Sequence, residues 1–157
     1  EHICVTWETC TLRKWLNDTF IKDIFSAEEM KAVMLSDVSA DKNPRYNTNQ
    51  GNDTKDKLFL LSIKEVERYF DDSIKERLCK PTEYAISNRA YKYSSGYCWW
   101  LLRSNGCESD TAAAVSGDVN GNYVDGFVYY HGVYVTNING SVRPAFWLNL
   151  QIYEYDK

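Results

Sequence analysis

The sequence predicts an α+β fold, with helices in the first half of the chain and strands in the second. Three observations predict it. Ser26-Ala-Glu-Glu29, Ser62-Ile-Lys-Glu65 and Ser73-Ile-Lys-Glu76 are capping boxes, in which a serine and a glutamate three residues on satisfy the free N–H groups of a helix start. From Tyr123 onward the apolar residues switch to the two-residue period of a strand. Asn120-Gly121 and Asn139-Gly140 are residue pairs that favour tight hairpin turns.

Taken in order, Leu12, Trp15 and Leu16 fall on one face of a helix around Trp7 to Asn17. Phe25 and Met30 stand at the staple positions of the first capping box, and Val33 and Met34 continue the buried stripe. Asp37 to Asp56 is polar, with Asn, Asp, Gly and Pro, and reads as a long surface loop. Lys57 to Leu61 is a short buried strand. In the helix of the second box Leu61 and Val66 form the staple, and Val66, Tyr69 and Phe70 face inward. The helix of the third box stops at Lys80-Pro81, since proline cannot continue it. A short helix follows from Pro81 to Asn88.

Trp99 to Leu102 is apolar and buried. In the strand from Tyr123 to His131, Val124 and Val128 point to the core, and Tyr123, Asp125, Phe127, Tyr129 and His131 point outward. Beyond Gly132, Val133 and Val135 point in while Tyr134 and Thr136 point out. The last strand, Val142 to Leu150, carries Arg143, Pro144 and Trp147.

At 157 residues the chain, 1–157, is a single domain by length. Its helical part is about 6–90 and its β-rich ligand-display part about 97–150. The net charge of −4 argues against a nucleic-acid partner, which needs a basic patch. No apolar run approaches the roughly 18 residues of a membrane-spanning helix, so no membrane insertion is expected. Glu1-His-Ile-Cys-Val is a strand-like opening without a starting Met, as in a piece of a longer protein. The five cysteines follow no metal-site spacing. Cys98 and Cys107 are near enough in sequence to close a small loop, although buried free thiols are the favoured reading. Asn17, Asn52 and Asn139 begin glycosylation triplets that an Asn-rich chain also produces by chance.

One stretch stands apart in composition. From Asn105 to Ser141 there is no Lys, Arg, Leu, Gln, Met, Trp or Pro, and in their place are five Asn, four Tyr and six of the eight Gly. Binding loops of antibodies concentrate Tyr, Ser, Gly and Asn, because Tyr offers a large contact area at low entropy cost.

Catalytic signatures are missing. His2 and His131 are the two histidines, and no nucleophile elbow, phosphate-cradling glycine loop or paired-cysteine motif is found. No catalytic residue, metal ligand or cofactor is therefore expected. Asp118-Val-Asn-Gly-Asn122 is a fragment of a calcium loop with its glycine misplaced and its closing Glu missing, and reads as a turn. Gly51-Asn-Asp-Thr-Lys-Asp56 offers oxygen ligands to calcium and equally fits an Asx-rich turn. Arg103 and Arg143 sit beside Trp-bearing apolar segments. The favoured role for both is stacking on tryptophan with bonds to backbone carbonyls or a carboxylate, ahead of an anion contact.

Several motifs together resemble a family of uncharacterised domains found in gut Firmicutes and their phages. They are Thr6-Trp-Glu-Thr-Cys-Thr-Leu-Arg-Lys-Trp-Leu-Asn17, Gly51-Asn-Asp-Thr54 with Asp56-Lys57, Cys79-Lys-Pro-Thr82, Cys98-Trp-Trp with Leu102-Arg103-Ser104, and Val142-Arg-Pro-Ala145 followed by Trp147. The chain departs from the family pattern at Asn105, where Pro is usual. It also lacks nearly all of a β-rich lead-in. The resemblance implies a C-type-lectin-like and formylglycine-generating-enzyme-like fold, with the helices packed on a small twisted antiparallel sheet. The cysteine pair of the enzyme branch is not placed by the sequence, and Trp147-Leu-Asn149 is a poor match to the calcium-lectin motifs. Fold alone carries neither activity over.

A third branch of that fold group, the variable proteins of diversity-generating retroelements, fits better. Adenine mutagenesis of Asn codons cannot produce Lys, Glu, Gln, Met or Trp, and between Asn105 and Ser141 only Glu108 breaks the restriction. The expected function is therefore non-catalytic recognition of a protein or glycan, at a phage or bacterial surface. The expected site is Asn105, Ser109, Asp110, Tyr123, Asp125, Phe127, Tyr129, Tyr130, His131, Tyr134 and Asn137. The location expected is secreted, cell-surface or virion-associated. The alternatives are a structural module of a larger secreted or tail protein, and an enzyme or calcium lectin of the same fold.

Overall fold

The structure, a computed structural model, describes residues 4–70, 74–117, 119–120, 123–124 and 126–153. The capping box at Ser73 lies outside the described residues, as do Asp118, Gly121, Asn122 and Asp125.

Cys10 opens the first helix, its sulfur accepting from Arg13 N at 3.4 Å. Helix α1 (Thr11–Trp15) runs through a π-helical turn, Leu16–Phe20, into α2 (Ile21–Ile24). Leu16 and Ile21 are buried and Leu12 packs against them, but Trp15 is exposed and lies against Phe20 with ring centroids 4.7 Å apart. The apolar stripe therefore passes Trp15 by. Ahead of α3 (Glu29–Ala32) the expected box is formed, with Glu29 N donating to Ser26 Oγ at 3.2 Å and Ser26 N to Glu29 Oε2 at 2.8 Å. Met34 does not continue the buried stripe. The helix ends at Ala32 and Val33 pairs in extended form with Leu148, which turns Met34 outward.

The segment expected as a surface loop is more ordered than that. Its ends form an antiparallel pair, β1 (Ser36–Val38) with β2 (Thr54–Asp56), and Asn43 between them is buried. The cause is Asp56, which accepts from Trp7 Nε1 at 3.0 Å, Arg13 Nε at 2.7 Å and Thr54 Oγ1 at 2.6 Å. A buried carboxylate with that many donors holds the strand inward. Leu58 to Leu61 are buried as expected, but the segment is not a strand, and among the described residues its one bridge pairing is Phe59 with Ala145.

Helix α4 (Ile63–Tyr69) begins at a complete capping box, Ser62 with Glu65. Val66 is buried beneath it and Phe70 packs on the core, whereas Tyr69 faces outward against Trp147. Helices α5 (Ile74–Arg77) and α6 (Glu83–Ser87) follow, the latter capped by Thr82.

A three-stranded antiparallel sheet, in the order β3 (Trp100–Asn105), β4 (Thr111–Val115), β7 (Val128–Tyr134), carries the second half. Between β4 and β7 stands a small antiparallel pair, β5 (Val119–Asn120) with β6 (Tyr123–Val124). Asn120 faces Tyr123 in it, so Asn120 is a ladder residue and not the first turn residue that an Asn-Gly hairpin requires. The strand expected over Tyr123 to His131 is thus split in two. Asn139-Gly140 closes no hairpin, because Ser141 returns beside Trp100 as a parallel bridge. The expected last strand is extended but irregular, touching Phe59 through Ala145 and Val33 through Leu148. Proline at 144 has no N–H for a ladder.

Helices and sheet share one core, built on Trp100, Leu16, Ile21, Leu58, Leu60, Ile63, Val66, Leu102 and Val115. The architecture is α+β. Burying nine such side chains at about 1.5–3 kcal/mol each is the main force joining the two halves.

Candidate functional site

Strand β7 is where the outward row stands. Val128 is buried, Tyr129 and His131 are exposed, and Gly132 is buried again. Gly132 has φ of 85°, and a Cβ there would lie 2.7 Å from the Ala112 carbonyl oxygen. This bulge places extra residues in β7, since Ala112 faces Val133 but Ala114 faces Tyr129. The phase is reset so that Tyr134, and not Val133, is the next exposed side chain. Phe127, Tyr129 and Tyr134 are 60%, 50% and 58% exposed, which is unusual for large rings. Cross-strand partners are short, Ala114 opposite Tyr129 and Thr111 opposite Tyr134, so the rings stand above small side chains.

His131 is the hub of the row. Its ring lies 5.9 Å from that of Tyr129 and 6.0 Å, edge-on, from that of Tyr46. Cys107 Sγ is 3.3 Å from His131 Nε2, and Cys107 N donates to the His131 carbonyl at 2.8 Å. The β1–β2 connection delivers Tyr46. Asn43 Nδ2 donates to Asn105 O at 2.9 Å and Tyr130 O at 2.8 Å, and Thr48 Oγ1 donates to Gly106 O at 2.8 Å. Gly106 is required there, because a Cβ would come within 2.3 Å of the His131 carbonyl oxygen.

Tyr130 points the other way and is half-buried. Its hydroxyl donates to Glu67, and the Arg45 guanidinium sits 3.8 Å from the ring centroid. Burial, then the Glu67 carboxylate, push the phenol above its ordinary value.

The remaining expected site residues divide. Asn105 is buried in β3, with Nδ2 donating to Val5 O at 2.8 Å, and is a framework residue and not a loop contact. Ser109 and Asp110 are half-buried, and their carbonyls accept from Val5 N and Val135 N, each at 2.9 Å. Asn137 is exposed but its Oδ1 caps Asn139 N at 2.9 Å, as turn asparagines do. Tyr123 lies in β6, its side chain outside the described set. The group brought together is therefore exposed Tyr129 and His131 with half-buried Tyr46, flanked by exposed Tyr134 at the end of β7 and Phe127 just before its start. Arg45, Tyr46 and Cys107 were not anticipated. An aromatic residue alone in an Asx-rich segment was the available signal for Tyr46.

Residues 2–150 match the family described as Domain of unknown function (DUF6273). The chain belongs to that family. No curated protein and no solved structure matches it.

Elsewhere in this DUF6273 domain, Arg143 has the tryptophan stacking favoured for it, while Arg103 has the favoured carbonyl and carboxylate bonds but lies over Phe59 and not over a tryptophan. Arg103 donates to Leu60 O at 2.8 Å, Ser39 O at 3.1 Å and Glu65, and Arg143 stacks over Trp100 and Phe70 at 5.1 and 5.2 Å. The Gly51–Asp56 oxygens serve the fold, Asp53 Oδ1 accepting from Ala40 N and Asp56 from three donors. Among the described residues no three His, Cys, Asp or Glu side chains converge as a metal site. Nor is any helix among them long and apolar enough to cross a membrane. All five cysteines are free thiols. Cys98 is paired across a bridge with Cys79, and not with Cys107. A separate cavity of about 420 Å³ lies between Val5, Trp7, Cys10 and Leu12 on one side and Leu101, Asn105, Ala112 and Val135 on the other.

Proposed function

We propose that this domain is a non-catalytic ligand-recognition module that binds a protein or glycan through the outward face of β7. The observation that carries the reading is the exposed row Phe127, Tyr129, His131 and Tyr134, joined by Tyr46 from the β1–β2 connection. Exposed aromatic patches mark interaction surfaces, and tyrosine gives contact area with few bonds to freeze. Beneath the row, the Gly132 bulge and the Asn43 and Thr48 bonds fix the backbone, which lowers the ordering cost of binding.

The same reading assigns the domain to the C-type-lectin-like fold group, supported by the order of helices then antiparallel sheet. It further makes the row a surface diversified by a retroelement in a phage or bacterial surface protein, secreted, cell-attached or virion-associated. Support comes from the match between exposed β7 positions and the residues that adenine mutagenesis can produce. Buried Asn105, Thr111 and Val115 would then be held constant.

The test compares the wild type with the double variant Tyr129→Ala/Tyr134→Ala on an immobilised glycan array and a panel of purified bacterial surface proteins. The wild type is expected to bind at least one member, and the variant to lose that binding with Tm changed by no more than about 2 °C, as for surface substitutions. Retained binding, a large fall in Tm, or a wild type that binds nothing would each defeat the proposal. Diversification has its own test in the flanking DNA: a near-identical repeat differing at adenines beside a reverse transcriptase gene.

A second reading has one observation in its favour. Met34, Leu35, Trp147, Leu148 and Leu150 are all exposed, and Met34 N donates to Trp147 O at 2.9 Å, so they are neighbours. Such a patch suits packing against an adjoining module of a larger protein. Trp147→Ser and Leu150→Ser would then improve solubility of the isolated chain and leave ligand binding untouched.

A further inference from the structure

Cys79 and Cys98 face each other as antiparallel bridge partners, with Cys98 N donating to Cys79 O at 2.9 Å. Residues opposed in this hydrogen-bonded way have Cα atoms about 5.5 Å apart. A disulfide spans Cα separations of roughly 4.4–6.8 Å, so opposed positions of this kind lie within its reach. Both side chains leave the ladder on the same side, with Cys98 Sγ donating to Cys79 O at 3.3 Å and Cys79 Sγ to Lys80 O at 3.6 Å.

The two thiols are not equivalent. Cys79 is half-exposed, while Cys98 is 1% exposed beneath Trp99 and Trp100 in sequence and Gly117 in space. A Cβ at Gly117 would sit 2.2 Å from the Cys98 carbonyl oxygen, so the chain closes tightly over that side. The Cys98 thiol holds Cys79 well below the ordinary thiol value against the opposing effect of burial, and the Arg143 charge helps. The Cys79 thiol beside it, and then burial, push Cys98 up. One further group bears on Cys98. Ser141 is buried at 6% exposure, its hydroxyl has no hydrogen-bond partner among the described residues, and it lowers Cys98 against those two effects.

We propose that Cys79 and Cys98 form a redox-active dithiol that closes to a disulfide by exchange with a small-molecule disulfide of the glutathione type. Cys79 is the attacking thiol and Cys98 the resolving one. The Cys79 thiolate attacks one sulfur of glutathione disulfide, the S–S bond breaks, and the departing glutathione thiolate takes up the proton Cys79 has lost. Cys98 then gives up its proton, with Ser141 the polar group at hand. Its sulfur attacks Cys79 in the mixed disulfide and expels the second glutathione. Two protein thiols are oxidised, one glutathione disulfide is reduced to two thiols, and both protons end on glutathione. The bridge would close the loop from 79 to 98, which carries α6, onto the entry to β3. Trp100 Nε1 already donates to Arg77 O at 2.9 Å at that point, so α5 and β3 are in register before the bridge forms.

The experiment incubates the purified chain with glutathione disulfide, alkylates the remaining thiols and maps the cysteines by peptide mass spectrometry. The expected product is a Cys79–Cys98 disulfide, with Cys4, Cys10 and Cys107 not joined to either. Tm should rise by roughly 5–12 °C over the reduced chain, as for a loop of this length in a chain of this size. Cys98→Ser should trap glutathione on Cys79, and Cys79→Ser should leave Cys98 alkylatable only after unfolding. Persistence of both thiols in the treated wild type would overturn the proposal, as would a bridge from Cys98 to Cys107. So would glutathione on Cys98 in Cys79→Ser as fast as on Cys79 in Cys98→Ser.

Discussion

Arg103 Nη2 donates to Glu65 Oε1 at 3.0 Å, and Glu65 is also the residue whose Oε2 accepts from Ser62 N to close the capping box of α4. One carboxylate therefore starts a helix and anchors a sheet strand. Asp41 completes the group, accepting from Ser62 Oγ at 2.8 Å and lying 3.5 Å from Arg103 Nη2.

Removing the arginine should be costly. Its side chain is 2% exposed and its donors serve two carbonyls as well as the carboxylates. Arg103→Ala takes a donor from two carbonyls and the counter-charge from Glu65 and Asp41, and urea denaturation should show a loss of about 3–5 kcal/mol. Arg103→Lys should recover little, because an ammonium cannot match a planar fork of donors. A loss under about 1 kcal/mol for the alanine variant would mean the network is dispensable.

Asn17 repeats this logic in a neutral side chain. Its Oδ1 accepts from Lys57 N at 2.9 Å and Leu58 N at 3.0 Å, while Nδ2 donates to Leu58 O at 2.8 Å and Arg13 O at 3.1 Å. The amide acts as a strand partner for residue 58. Asn17→Ala should cost about 2–4 kcal/mol in chemical denaturation, since it strands several backbone groups at once. Because Nδ2 is engaged twice, mass spectrometry of the chain expressed through a glycosylating pathway should find Asn17 bare. A glycan at Asn17 on folded protein would contradict this arrangement.

What could be read in the sequence was whatever its chemistry settles within a few residues. The boxes at Ser26 and Ser62 need only a serine and a glutamate three apart, and both formed. The outward set Phe127, Tyr129, His131 and Tyr134 was legible because alternation and a glycine bulge are local too. Partners distant in sequence were not. Nothing near Asn43 announces that its amide will bridge Asn105 and Tyr130, nor does Asn105 itself signal that Val5 will bury it. Asp56 looks like a loop carboxylate until Trp7 and Arg13 reach it. The Cys79–Cys98 pairing is hidden for the same reason, as it needs α6 to double back.

Gly132 sets the phase of the aromatic row. With φ at 85° and the Ala112 carbonyl oxygen 2.7 Å from where a Cβ would stand, Gly132→Ala meets both backbone strain and a clash. Left-handed backbone costs about 1–2 kcal/mol for an L residue, and displacing a strand carbonyl adds to it. A Tm lower by at least about 4 °C is expected. Tyr134 should change its solvent exposure, readable as quenching of a fluorotyrosine placed there. An unchanged Tm would show that the bulge is not held by this glycine.

Tyr130 provides the pH dependence. Its ordinary value is 10.0, and in the fold it is raised, first by burial and then by the Glu67 carboxylate that its hydroxyl bonds. A phenol raised in the folded state is most stabilising while neutral. Its contribution is fully present below the unfolded value of 10.0 and is lost as pH rises through the higher folded value. Wild-type stability should therefore fall more steeply above pH 10 than that of Tyr130→Phe, which keeps the ring under Arg45 but has no proton to lose. At neutral pH the phenylalanine variant should lose only about 1 kcal/mol, because Glu67 is near enough to solvent to be rehydrated. Following phenolate absorbance in both proteins isolates the group: the wild type should show one late-titrating tyrosine that the variant lacks. Identical alkaline titration curves would remove Tyr130 from the account.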